Sequence, residues 1–145
     1  MNARDRFVDF NRRLIDDLRA HSGRATSGPF AGRELLILKT LGARTGAERE
    51  HPLAFSQSGR DYVVVGSKGG APRHPAWYHN LVAHPDVGIE VHGHAFRARA
   101  RVAEGEEYDR LFNAHADRMP AFRDYRRRTT RKLPVIVLEP IEQLN

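Results

Sequence analysis

Short apolar runs constrain this chain more than anything else in it. Leu35-Leu36-Ile37-Leu38, Tyr62 to Gly66, Val87 to Val91 and Pro134 to Pro140 are too short for core helices, and most are rich in β-branched residues. A buried run of that length satisfies its backbone polar groups only by pairing with other strands. Two further segments read as strands. His51 to Ser56 carries Pro52, which marks an edge or a bulge. Phe96 to Ala103 sets Ala98, Ala100 and Val102 against Arg97, Arg99 and Arg101, the pattern of a half-exposed strand. Turns at Gly42 to Gly46, Ser58 to Asp61 and His92 to His94 join neighbours. Turns that short permit antiparallel pairing and exclude helical crossovers.

Between the strands lie segments of helical period. Residues from about Arg4 to His21 place Phe7, Phe10, Leu14 and Leu18 on one face, an N-terminal amphipathic helix. Ser22 to Gly32 follows as a loop. Pro75 to Ala83 forms a short helix with Pro75 in its first turn, stopped at His84-Pro85. Glu104 to Arg118 has an acidic start and a basic end, and Ala121 to Arg128 adds a turn or two after Pro120. The sum is α+β: about six mainly antiparallel strands with flanking helices, expected as a small closed barrel in a single domain over residues 1–145.

The net charge of +6 favours anionic partners without choosing among nucleic acid, acidic lipid and phosphorylated cofactors. The absence of cysteine excludes disulfides, thiolate metal sites and a cysteine nucleophile. No apolar run approaches the roughly 20 residues of a membrane span. With no secretory segment at Met1 to Arg6, a cytoplasmic location is expected.

Two glycine-rich cationic loops are the best candidates for chemistry. Arg44 and Arg49 flank the turn at Thr45-Gly46, and two guanidinium forks so placed can converge on a phosphate, although an ordinary polar hairpin reads the same way. Ser67-Lys68-Gly69-Gly70 directly follows an apolar strand and combines a hydroxyl, a point charge and open backbone. Its spacing is neither a Walker A loop nor a dinucleotide fingerprint. Trp77 and Tyr78 lie just beyond and can line a flat aromatic ligand or sit in the core. His74, His79 and His84, five apart, do not share a helical face, and no HExxH or GxSxG is present, so neither a metal centre nor a serine hydrolase is expected. Arg123 to Lys132 holds six basic residues and reads as a solvated face. Tyr125 is its only aromatic, which counts against nucleic acid.

The run Ser67-Lys68-Gly69-Gly70-Ala71-Pro72-Arg73-His74-Pro75-Ala76-Trp77-Tyr78-His79-Asn80-Leu81 resembles the deazaflavin-dependent nitroreductases, also called F420H2-dependent quinone reductases, of actinobacteria. Leu35 to Leu38, the turn Gly42 to Arg49, Pro52-Leu53 and Leu133 to Pro140 are similar too, so the likeness covers nearly the whole chain. The resemblance implies a split β-barrel that uses reduced coenzyme F420, with hydride passing to a quinone or nitroaromatic acceptor. It implies that Arg44, Arg49 and Lys68 hold the phosphate and acidic tail, with Thr45 and Gly70 beside them. Ser67, Gly69 and Trp77 would sit near the ring, and Pro75 and Tyr78 count among the cofactor-binding residues. In the segment Met119 to Tyr125 the family commonly has tyrosines lining the acceptor pocket; Phe122 stands in one such place and Tyr125 remains as the candidate proton donor. An FMN-binding barrel and a non-catalytic F420 carrier are the alternatives. A homodimer, and peripheral membrane contact through the N-terminal helix, complete the expectations.

Overall fold

The computed structural model describes residues 2–145. Helix α1 (Ala3–Ala20) leads into strands β1 (Leu36–Leu41), β2 (Glu48–Leu53), β3 (Ser56–Ser58) and β4 (Asp61–Val65). Helix α2 (Ala76–Ala83), strands β5 (Asp86–Val91) and β6 (His94–Val102), helices α3 (Gly105–Arg118) and α4 (Ala121–Arg127), and strand β7 (Val135–Gln143) complete the chain. All seven strands form one antiparallel sheet in the order β2-β1-β5-β6-β7-β4-β3.

That order, together with one very short connection, dictates the shape. Strands β2 and β3 are the two edges of the sheet, yet only Ala54 and Phe55 separate them in sequence. Seven strands laid flat would hold their edges about 29 Å apart. Three Cα–Cα steps from Leu53 to Ser56 reach about 11 Å at most. The sheet therefore curls until its edges meet without pairing, which is a split β-barrel. The expected single strand from His51 to Ser56 is thus two strands on opposite edges, and the count is seven, not six.

The apolar runs read as continuous because both faces of the strands are covered. Leu36, Leu38, Val64, Ile136 and Leu138 face Trp77 and Leu81 of α2, while Val63, Val65, Val135 and Val137 face Tyr108, Leu111 and Phe112 of α3. Ile37 and Leu35 meet Leu14, Ile15 and Leu18 of α1. Each such side chain contributes about 1.5–3 kcal/mol by leaving water. Strand β7 runs through Pro140, against the expected stop there. A register shift between Arg97 and Ala98 lies opposite Pro140, and a bulge is where a strand tolerates a residue with no N–H.

Only the second half of α1 docks. Arg19 grips both carboxylate oxygens of Glu90 (3.0 and 2.7 Å) and also pairs with Glu50, fixing α1 to β5 and β2. Asp17 accepts the Thr26 amide at 2.7 Å and hydroxyl at 2.6 Å, and those bonds, the hydroxyl first, hold its carboxyl below the usual range. Phe7 and Val8, in contrast, are 64% and 53% exposed. The apolar stripe expected from Phe7 to Leu18 therefore splits into a core part and an overhanging part. Pro75 is the N-cap of α2, one place before the first turn in which it was expected.

Candidate active site

The overhanging end of α1, the β2 edge, the loop after β4, the start of α2 and α4 surround a cavity of about 620 Å³. That volume is in the range of small-molecule sites. Its wall mixes apolar side chains with polar ones, among them Asn11, Arg33, His51 and Arg118.

One polar stretch comes from the loop Ser67 to Gly70. Ser67 is right-handed (φ −78°, ψ −40°), then Lys68, Gly69 and Gly70 all take positive φ (46°, 64° and 83°). Only the two glycines do this without strain, so Lys68 is held there by its surroundings. A right-handed residue followed by a left-handed one turns successive amides into a concavity that suits an anion. Inside the loop the Gly70 amide donates to Ser67 O and the Ala71 amide to Lys68 O. The Lys68 and Gly69 amides have no partner among the described residues. Ser67, Lys68 and Gly69 all line the cavity, but Gly70 does not. It is buried against α4, where a Cβ would come within 2.7 Å of Tyr125 O.

Pro75 and Trp77 continue the wall on the α2 side. Trp77 is 5% exposed and packs in the core while its remaining surface faces the cavity, so both readings of this residue hold. Tyr78 is outside the lining; its ring lies 4.6 Å from that of His74. Next to the loop, α4 adds Phe122 and Tyr125, with ring centres 5.2 Å apart, and Met119 precedes them.

The first loop does not reach the lining. Arg44, Thr45 and Arg49 are exposed, and the Thr45 hydroxyl accepts the Ala47 amide within the turn. The loop is tied to α2 by Asn80, which accepts the Ala43 amide and donates to Thr40, each at 3.0 Å. Arg49 shares its face of β2 with His51, two residues on, and His51 lines the cavity.

Two histidines escaped the sequence reading because it weighed histidines only as metal ligands. His51 has a buried Nε2 without a hydrogen-bond partner, and burial, then Arg49, lower its pKa. His115 of α3 is fully buried behind Phe122, their rings 4.5 Å apart and perpendicular. Its Nδ1 lies 2.8 Å from the Ser56 hydroxyl, and its Nε2 has no partner. Burial first, then Arg118, push its pKa down to about 4, so the ring is neutral. Among the described residues no three His, Asp or Glu side chains gather as a metal-binding group.

The basic face is solvated as expected, with Arg126, Arg127, Arg128 and Lys132 exposed, and most of its cations also have a neighbour. Arg126 lies 4.1 Å over the Phe112 ring, Lys132 lies 4.1 Å over the Tyr108 ring, and Arg123 and Arg127 pair with Asp117 and Asp124.

A curled antiparallel sheet with an apolar cavity and an amide-rich cationic loop at its split defines a ligand-binding split β-barrel. More particularly, the chain belongs to the F420H(2)-dependent quinone reductase family, whose model matches residues 11–140. An F420H(2)-dependent quinone reductase of Mycobacterium tuberculosis is 37% identical over 131 residues, covering 83% of this chain and 88% of that protein. The solved structure of an F420-H2 dependent reductase, FDR-A, superposes with a TM-score of 0.68 at 33% identity, covering 72% of this chain and 93% of its own. A second solved structure, described as a domain-swapped dimer, gives a TM-score of 0.70 at 29% identity, with 91% and 98% covered.

Proposed function

We propose that this chain binds coenzyme F420 in the cavity and, with the reduced cofactor, reduces a quinone-type acceptor, nitroaromatic compounds being further acceptors. The observation that carries the reading is the meeting of three features in one cavity. An open amide concavity carries Lys68, a buried tryptophan lines the same cavity, and the aromatic side chains of α4 complete its wall. The residues fit the cofactor's chemistry. Unpartnered amides and Lys68 suit its phosphate and acidic tail, and Arg49 lies on β2 two residues before the cavity-lining His51. Pro75 and Trp77 suit the flat ring.

When bound, the reduced cofactor supplies a hydride from C5 of its ring. The chain's part is to hold donor and acceptor in contact and to keep water out. Reduction of a quinone to a hydroquinone takes one hydride and one proton. Tyr125 brings a phenol to the wall where the acceptor would lie, and its Oη is the candidate source of that proton. Phe122 beside it has no such proton and shapes the pocket only.

Titration with F420 and with FMN, followed by menadione added to the complex with reduced F420, tests the reading. We expect F420 to bind, and menadione to oxidise the bound reduced form. FMN binding without F420 binding would overturn the proposal, and F420 binding without oxidation by any acceptor would make the chain a carrier. The Lys68 side chain forms no ion pair or hydrogen bond among the described residues. Lys68→Ala should therefore raise the F420 dissociation constant about tenfold and leave thermal stability unchanged. Equal losses of both would sink the binding role.

The exposed Phe7 and Val8 also support the reading that α1 touches a membrane surface, with Arg4, Arg6, Arg12 and Arg13 around them. No helix of the described residues is long and apolar enough to cross a membrane. Co-sedimentation with anionic vesicles should fall when Phe7 and Val8 are both replaced by Ser; equal sedimentation would remove the idea.

A further inference from the structure

Arg131 stands apart from the rest of the basic run. It follows α4 and is half-buried, and all its side-chain hydrogen bonds go to one segment. Its Nε donates to Ala71 O at 2.8 Å, one Nη to Gly66 O at 3.0 Å and the other to Ser67 O at 2.7 Å. The first Nη also lies 2.9 Å from His74 Nδ1. One planar guanidinium thus gathers three carbonyls and an imidazole from residues 66–74. These carbonyls flank the loop of consecutive positive-φ residues, Lys68, Gly69 and Gly70, on both sides.

Peptide planarity turns that clasp into a statement about the cavity. In a trans peptide the C=O and the following N–H point in opposite directions. The Ser67 carbonyl points at Arg131, so the Lys68 N–H points away from it. Arg131 is absent from the cavity lining, whereas Ser67, Lys68 and Gly69 belong to it. The Lys68 carbonyl is taken by the Ala71 amide, so the Gly69 N–H is likewise turned away from that bond. These are the two amides without partners. The charge on Arg131 also polarises the Ser67–Lys68 peptide whose oxygen it holds, which strengthens the Lys68 N–H as a donor.

We propose that Arg131 is the positioning residue of the cofactor loop: it fixes the Ser67–Ala71 backbone so that the Lys68 and Gly69 amides stay open to an anionic oxygen of the cofactor. The inference rests on the F420-binding reading above. It assigns to Arg131 no contact with cofactor or acceptor. Lysine cannot replace it, because an ammonium is a point donor and lacks the fork that spans three carbonyls.

The test compares Arg131→Lys and Arg131→Ala with the wild-type protein. Hydrogen exchange is measured first without any ligand. Faster exchange of the Gly70 and Ala71 amides in Arg131→Lys, with the sheet amides unchanged, is the expected result. The dissociation constant for F420 is then expected to rise about tenfold or more in both variants. The KM for menadione should stay within about twofold, since the apolar wall is untouched. Wild-type exchange and affinity in Arg131→Lys would overturn the proposal, since a retained charge would then suffice. Affinity lost in step with global stability would overturn it as well, because Arg131 would then be a fold residue only. A wild-type protein that takes up no F420 overturns the functional reading and this role with it. A wild type that binds, with an Arg131→Lys variant of equal affinity, overturns this inference alone.

Discussion

Gly70→Ala is expected to destabilise the free protein by about 2–5 kcal/mol and to weaken F420 binding at least tenfold. Two independent costs add. Gly70 has φ +83°, and an L-residue in left-handed backbone loses about 1–2 kcal/mol. A Cβ there would also meet Tyr125 O at 2.7 Å and Arg128 Cβ at 2.8 Å, both on the chain around the end of α4. Neither neighbour is the free end of a flexible side chain, so the backbone must shift, at a typical overpacking cost of about 1–3 kcal/mol. The shift separates the loop from α4, and with it the amides of Lys68 and Gly69 from Phe122 and Tyr125. Gly69→Ala is the internal control. Its φ is +64°, but nothing lies within 4 Å of a Cβ, so it should cost only the backbone part, about 1–2 kcal/mol. Urea unfolding of the two variants separates strain from collision. Equal stabilities would show that α4 gives way freely and that Gly70 is not a packing residue.

That contrast also marks where sequence reasoning stops. The strands were legible because continuous apolar runs mean burial on both faces, and they proved to be covered by α2 on one side and by α1 or α3 on the other. The curl of the sheet was not legible. It follows from β2 and β3 being opposite edges joined by two residues, and the segment His51 to Ser56 reads as one strand until its partners are known. In the site, Ser67, Lys68 and Gly69 could be picked out because glycine beside a cation after a strand has few other uses. Gly70 looks identical to Gly69 in the sequence, yet one packs and the other opens. Arg131 was invisible for a different reason: in a run of six cations nothing local says which one turns inward. The decisive partners are carbonyls some sixty residues away, and main-chain acceptors leave no trace in side-chain identity. His115 gave no signal because its meaning depends on Ser56, on the other side of the sequence.

The last expectation concerns that histidine, and it sets the acid limit of the fold. The His115 ring is neutral in the folded protein, with its pKa pushed down from 6.5 to about 4 by burial and then by Arg118. As the pH falls through 6.5, the unfolded chain takes up a proton that the folded chain refuses. Stability must therefore fall with pH from about 6.5 down to about 4, and this group adds nothing below that. At about 1.4 kcal/mol per pH unit the full loss is about 3 kcal/mol, a large share of the total for a domain of this size. His51 and His74, whose pKa values are also lowered by burial first, act with the same sign. The carboxylates held low by partners, Glu90 chief among them through Arg19, lose their contribution only at lower pH, below the ordinary carboxylate range. Between pH 6.5 and 5 the slope thus belongs to histidine. A double variant, Ser56→Ala with His115→Leu, removes both members of the buried pair, which is close to neutral when neither is left alone. Its unfolding free energy at pH 7.5 should stay within about 1 kcal/mol of the wild type, while most of the loss between pH 6.5 and 5 disappears. An unchanged slope in the double variant would mean that His115 protonates freely in the folded state. It could not then be the dry support on which Phe122 and the acceptor wall rest.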